Sequence, residues 1–87
     1  MPTVWVPALL RDVTGGHETV TVSGKTVAEV IDALERLHPG VRERLCTGDT
    51  IRPGMAVIVD TEVARFGLFQ PVGEQSEVHF LPAIGGG

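Results

Sequence analysis

The sequence predicts an α+β domain in which one main helix packs across a mixed sheet of four to five strands. Three observations support this prediction. Two segments with alternating polarity flank a Gly-Gly turn near the start of the chain. A single amphipathic helical stretch follows them, and further strand-like apolar segments occupy the second half. A hairpin, then a helix, then more strands is typical of a two-layer domain.

The first two strands are predicted over residues 3–7 and 18–23. Strand residues alternate between two faces, so Val4 and Val6 should face the core and Trp5 should face the opposite, partly exposed side. The turn signal between the strands is residues 14–17, Thr-Gly-Gly-His. Together these segments predict a β-hairpin.

The main helix is predicted to begin after Thr26 and to end at the Pro39-Gly40 pair. The Thr26 hydroxyl is a good acceptor for an amide of the first turn, and Glu29, three residues later, completes a capping box. Five apolar residues recur at helical spacing and form one stripe: Val27, Val30, Ile31, Leu34 and Leu37. This stripe is expected to pack on the sheet.

The second half of the chain predicts a short helical turn and three strand segments. The helical turn covers residues 41–46, and the apolar run that begins at Met55 predicts a central strand buried on both faces up to residue 60. A tight turn at residues 61–62 leads to a short edge segment over 63–65, and a loop covers 66–74. The last strand is predicted over residues 75–82. In that strand Val78 and Phe80 share one face, and His79 and Leu81 share the other.

Composition excludes several classes of function. The chain has 87 residues, the size of one domain, and a net charge of −4 with one lysine and scattered arginines, which argues against binding to nucleic acid. No apolar run approaches the ~20 residues of a membrane span, and the N-terminus lacks the pattern of a signal peptide. The single cysteine, Cys46, forbids an internal disulfide. We therefore expect a cytoplasmic protein.

The interior of the chain gives little reason to predict an enzyme. The three histidines and Cys46 show no metal-ligand spacing, so no metal site is predicted. Cys46 has no neighbouring base in the sequence that would activate it as a nucleophile. The carboxylates are spread over predicted exposed faces.

The C-terminal end is different because it consists of three glycines. Glycine has the highest backbone entropy of any residue, and without side chains it can enter a narrow slot. Three extended residues reach roughly 10 Å, so the terminal carboxylate can stand clear of a body whose radius of gyration is near 12 Å. We therefore divide the chain into a folded domain over residues 1–83 and a flexible tail over residues 84–87.

The chain resembles the ubiquitin-like sulfur carrier family along nearly its whole length. This family includes the small subunit of molybdopterin synthase, the thiamine-biosynthesis sulfur carrier and the carrier for thiocarboxylate-dependent cysteine synthesis. The pieces that carry the resemblance are residues 6–11, the turn 14–16, the helix start 26–30, residues 51–54 and 57–60, and the stretch 78–83 before the glycines. The Leu-Leu-Arg and Thr-Gly-Gly pieces are most similar to the cysteine-synthesis branch. The implied fold is the ubiquitin-like β-grasp, in which the first and last strands are parallel neighbours at the centre of the sheet.

The resemblance implies that the chain is a co-substrate of partner enzymes and binds no cofactor itself. A ubiquitin-activating-type adenylyltransferase would use ATP to convert the carboxylate of Gly87 to a glycyl adenylate, and a sulfur donor would then give 1-thioglycine, a thiocarboxylate. The acceptor would be a cysteine synthase-like enzyme, a thiazole synthase-like enzyme or a molybdopterin synthase large subunit. The family ends in two glycines and this chain in three, so Gly86 becomes the reactive residue if one residue is trimmed.

Docking to these partners requires contacts on the body near the tail. The expected contacts are five apolar residues: Phe66, Leu68, Phe69, Leu81 and Ile84. Gly85 and Gly86 would thread into the partner. Two other functions fit the same sequence: a ubiquitin-like modifier joined to lysines through its terminal glycine, and a β-grasp interaction module with an inert tail.

Overall fold

The computed structural model describes residues 1–82, which form two layers. One layer is a five-stranded sheet, and the other contains two helices and a separate two-stranded hairpin. The helices are α1 (Val27–Leu37) and α2 (Val41–Leu45). The strands are β1 (Thr3–Trp5), β2 (Thr19–Thr21), β3 (Cys46–Thr47), β4 (Thr50–Ile51), β5 (Met55–Val59), β6 (Glu62–Val63) and β7 (Glu77–Pro82). The strand order in the large sheet is β2-β1-β7-β5-β6, and β3 and β4 form the separate hairpin. Short 3-10 turns cover Ala8–Leu10 and Gly67–Phe69.

The last strand lies at the centre of the sheet, as the family resemblance predicts. β7 pairs in parallel with β1, where Val4 faces Val78, and antiparallel with β5, where Val57 faces Phe80. These four side chains are at most 4% exposed and form the middle of the core. The predicted alternation of both strands is confirmed.

The predicted capping box of α1 is present. The Thr26 Oγ1 accepts from the Glu29 amide at 3.2 Å, and the Glu29 carboxylate accepts from the Lys25 amide at 3.0 Å. The apolar stripe packs on the sheet except for its last member, Leu37, which is 58% exposed because the helix ends there. Gly24 precedes the helix so closely that an added Cβ would lie 2.8 Å from the backbone nitrogen of Val30.

Two connections differ from the predictions. The hairpin between β1 and β2 has the predicted pairing, but its connection also contains the 3-10 turn Ala8–Leu10. The tight turn between β5 and β6 is formed by Asp60 and Thr61, one residue earlier than predicted, with φ of 50° and 73°. Because two-residue hairpins favour positive φ at both positions, the turn adopts this geometry even without glycine.

Asp60 also ties β5 to the start of β7. Its carboxylate accepts from the Ser76 hydroxyl at 2.5 Å and from the Glu77 amide at 2.9 Å. These hydrogen bonds, the Ser76 one foremost, lower the pKa of the Asp60 carboxyl from its usual value.

The predicted burial of β5 on both faces is wrong. Val57 and Val59 are buried against the helix layer, whereas Ala56 and Ile58 are half-buried on the other side. No described element covers that side of the sheet, so the alternate residues of an entirely apolar strand reach the surface. We call this side the outer face.

Candidate functional site

The outer face carries a row of side chains that crosses all five strands. The register places one residue of each strand in this row: Thr19, Trp5, His79, Ile58 and Val63. Four of the five have apolar or aromatic side chains. Exposed apolar patches that are contiguous on a protein surface often mark a site where a partner binds.

Trp5 is held in a fixed orientation next to His79, the middle residue of this row. Its indole Nε1 donates to the Glu77 Oε1 at 3.0 Å, and its ring stacks on His79 with centroids 5.5 Å apart and planes 4° apart. His79 Nε2 lies 3.9 Å from the same Glu77 oxygen. Trp5 nevertheless remains 42% exposed. A rigid, exposed tryptophan can bind a partner with little loss of side-chain entropy.

The C-terminal end of β7 adjoins this row. Leu81 lies on the outer face opposite Ala56 and is 45% exposed. Pro82, the last described residue, pairs with Met55 at the start of β5. The chain therefore continues into residues 83–87 from the C-terminal end of the central strand β7, beside the outer face.

The predicted contact residues within the described part of the chain fall into two groups. Leu81 lies on the outer face, whereas Phe66 and Phe69, 66% and 82% exposed, lie at the two ends of one short turn, in which the Phe69 amide donates to the Phe66 carbonyl at 3.0 Å and which packs against α1 and β4. Leu68 is partly buried against the core, so it anchors the turn. Ile84 and the glycines Gly85, Gly86 and Gly87 lie outside the described residues, and the roles assigned to them stay predictions.

Sequence reasoning found Trp5 and His79 as outward-facing residues but did not bring them together. Ile58 was missed because the uniformly apolar β5 gives no alternation from which to assign a face. Val63 was assigned to an edge segment, and its pairing with Ile58 supplies the signal that it belongs to the row.

The described residues offer little for side-chain catalysis. Cys46 is 8% exposed, and burial raises the pKa of its thiol, which disfavours the reactive thiolate. Within residues 1–82, no three histidine, cysteine or acidic side chains are grouped in a way that could hold a metal ion. None of the helices in this part of the chain is long and apolar enough to cross a membrane.

A mixed sheet with parallel first and last strands at its centre and one main helix across it is the ubiquitin-like β-grasp. The sequence model of the ThiS family matches residues 4–87, and the chain belongs to this family. It is 38% identical over 92 residues to the sulfur carrier protein CysO of Mycobacterium tuberculosis, with 98% of this chain and 97% of that protein covered. The protein is therefore a sulfur carrier.

Solved structures of similar chains share this fold. A chain in the crystal structure of the Amycolatopsis orientalis BexX/CysO complex matches with a TM-score of 0.91 at 37% identity, and both chains are covered completely. The crystal structure of SAMP1 from Haloferax volcanii matches with a TM-score of 0.74 at 28% identity, covering 99% of this chain and 98% of that one.

Proposed function

We propose that Gly87 is the working residue of this carrier and that the protein acts as a co-substrate of enzymes that activate and then consume its C-terminus. In the first step a carboxylate oxygen of Gly87 attacks the α-phosphorus of ATP, and pyrophosphate leaves. In the second step a sulfide-level sulfur nucleophile attacks the acyl carbon, and AMP leaves with the electrons of the broken C–O bond. The product is a C-terminal thiocarboxylate.

The observation that supports this proposal most strongly is the contrast between the chain's two parts. The cysteine of the body is buried with a raised pKa, so it is poorly suited to carry sulfur. The end of the chain carries an acyl group and three residues without side chains. A carboxylate is a poor electrophile, and adenylation supplies the leaving group that it lacks.

The outer face is the docking surface for the adenylating enzyme in this proposal. The row centred on Trp5 and His79 lies beside the end of β7, so a partner that covers it also meets residues 83–87. Such a partner would hold the body while the tail enters its active site. The need for ATP places this reaction in the cytoplasm.

For the acceptor, we infer an enzyme of cysteine synthesis of the cysteine synthase-like type. Support comes from the name of the Mycobacterium relative, sulfur carrier protein CysO, and from the similarity over 98% of the chain. The BexX/CysO complex shows that a similar chain associates with a partner protein. Thiazole synthase-like and molybdopterin synthase-type acceptors are the alternatives in the same assay.

The test is incubation of the intact protein with its adenylating enzyme, ATP and a sulfide source, followed by mass spectrometry. The expected product is heavier by the replacement of one oxygen with one sulfur, and fragmentation should place the sulfur on Gly87. A variant that lacks Gly86 and Gly87 should not react, whereas Cys46→Ala should react normally. No mass change with the active enzyme would overturn the proposal.

A second function, conjugation to lysines of other proteins, is favoured by the similarity to SAMP1, whose name denotes a small archaeal modifier protein. Both functions begin with adenylation, so activation alone does not separate them. Adducts in cell extract that resist thiols and hydroxylamine would support conjugation. Adducts removed by hydroxylamine, together with a stable thiocarboxylate, would support the carrier alone.

A further inference from the structure

The strand directions bring three separate segments to the end of the sheet where the described chain stops. β1 runs parallel to β7, and β5 begins at Met55 opposite Pro82. β6 turns back beside β5, and the Ala64 amide donates to the Val57 carbonyl at 2.8 Å. The residues after β1, before β5 and after β6 therefore lie around the point where the chain continues into residues 83–87. We call this point the exit.

The exit is bordered by positive charge. Residues 6–11, 52–55 and 64–66 contain no carboxylate and three exposed arginines, Arg11, Arg52 and Arg65. We call these three arginines the exit rim. Two carboxylates lie outside these segments but near them. The Asp12 carboxylate is paired with Arg44. Glu18 lies on the β2 side, where its backbone carbonyl accepts from the Val6 amide.

The opposite end of the same strands is acidic. Residues 60–62 and 74–77 contain four carboxylates and no cation, and Lys25 and Arg36 of the helix layer line one cavity with Glu74. The six residues of β7 separate the two ends by roughly 17 Å, which exceeds the ~8 Å Debye length at physiological salt. A partner at the exit therefore meets the arginines with little influence from the carboxylates behind them.

The exit rim and the terminal carboxylate act on different parts of a partner. Five residues beyond Pro82 can span at most about 18 Å, so with the tail extended in a partner's groove the arginines remain at the mouth. A mouth lined by carboxylates would attract the rim. The same mouth would repel the acidic end of the sheet, which disfavours the reversed orientation.

We propose that the exit rim pairs with carboxylates around the mouth of the tail-accepting groove of the adenylating enzyme and orients the carrier with its tail first. This inference rests on the proposed function and names the chemistry of the partner surface. The protein as a whole carries a net charge of −4, whereas the exit carries the three arginines of the exit rim. This difference in charge between the exit and the rest of the surface orients the carrier in the electric field of an acidic partner surface.

The test compares two double variants with equal net charge. Arg52→Gln/Arg65→Gln and Lys25→Gln/Arg36→Gln each change the net charge from −4 to −6, but Lys25 directly precedes the N-cap of α1 and Arg36 lies in its last turn, both in the helix layer. The association rate constant with the adenylating enzyme is measured by stopped-flow fluorescence of carrier labelled at its N-terminus. Salt is varied from about 50 to 500 mM, a range over which screening becomes strong.

The rim variant should associate about tenfold more slowly at low salt, with the difference vanishing at high salt, and the control variant should change less than about twofold. Arg52→Lys/Arg65→Lys should restore most of the rate, because steering depends on charge. Equal slowing of both Gln variants, or an unchanged rate for the rim variant, would overturn the inference.

The yield of thiocarboxylate at a saturating concentration of the adenylating enzyme separates the two proposals. If the wild-type protein is converted but the rim variants associate at the normal rate, only the rim inference fails. If the wild-type protein is not converted, the proposed function fails and this inference with it.

Discussion

Trp5→Thr should weaken binding to the adenylating enzyme strongly while leaving the carrier folded. A tryptophan side chain offers up to about 250 Å², and the exposed 42% of Trp5 corresponds to roughly 100 Å². At about 25 cal/mol per Å², burying that area in an interface contributes roughly 2.5 kcal/mol, or about a 70-fold change in Kd. Threonine suits the replacement because it favours strands, and Thr19 already occupies the neighbouring position of the row.

The same substitution also removes contacts within the carrier. The hydrogen bond to Glu77 and the stack on His79 together contribute about 1–2 kcal/mol to folding, so the Tm should fall by several degrees. Calorimetric titration of the enzyme with each carrier should therefore be run well below the Tm of the variant. Leu37→Gln is the matched control, because Leu37 is 58% exposed but lies on α1 in the other layer. Equal losses of affinity for both variants, or none for Trp5→Thr, would refute docking through the outer face.

Three further outcomes are expected. Gly24→Ala should destabilise the fold by about 2–3 kcal/mol, because the new Cβ would lie 2.8 Å from the Val30 nitrogen, whereas Gly48→Ala, with φ of 59° but open space, should cost only about 1 kcal/mol in chemical denaturation. Asp60→Asn should flatten the loss of stability below about pH 4, because the lowered pKa of Asp60 gives the wild-type protein stability that disappears as pH falls through the folded-state value. If both proteins lose stability in parallel in acid, the Asp60 hydrogen bonds do not contribute. Cys46 should react with a thiol reagent far more slowly in the folded than in the unfolded protein, and a fast reaction at neutral pH would contradict its burial.

The elements that the sequence predicted correctly are those determined by interactions between residues close together in the chain. The capping box at Thr26 and Glu29 fixes where α1 begins, since both hydrogen bonds join residues four or fewer positions apart. The alternation around Val78 fixes which side of β7 faces the core. At both places the signal comes from residues close together in the chain and is compatible with only one local structure. The sequence therefore predicts that structure without knowledge of the tertiary contacts.

The features that the sequence could not supply depend on long-range pairing or on a missing alternation. Ile58 belongs to a strand that is apolar at every position, and it is only half-buried because no element within residues 1–82 covers that side of the sheet. The Trp5–His79 stack joins residues 74 positions apart, and it exists only because β1 and β7 pair in parallel with that register. The hairpin β3-β4 has two residues per strand, too few to produce a periodic signal.

In the proposed function the reactive group is the C-terminal acyl group and not a side chain of the folded body. This explains why a small domain suffices for a sulfur carrier. A thiocarboxylate is itself a nucleophile, and an acyl adenylate is itself an electrophile, so neither step requires a base or a pocket on the carrier. In the proposed function the body must instead present one correct surface to its partner enzymes, and recognition needs rigid contacts more than a cavity. Trp5, held by Glu77 and His79, supplies such a contact on a central strand directly beside the strand that leads to the tail. Substitutions on this face should therefore change partner affinity, whereas substitutions in the terminal glycines should change the yield of thiocarboxylate.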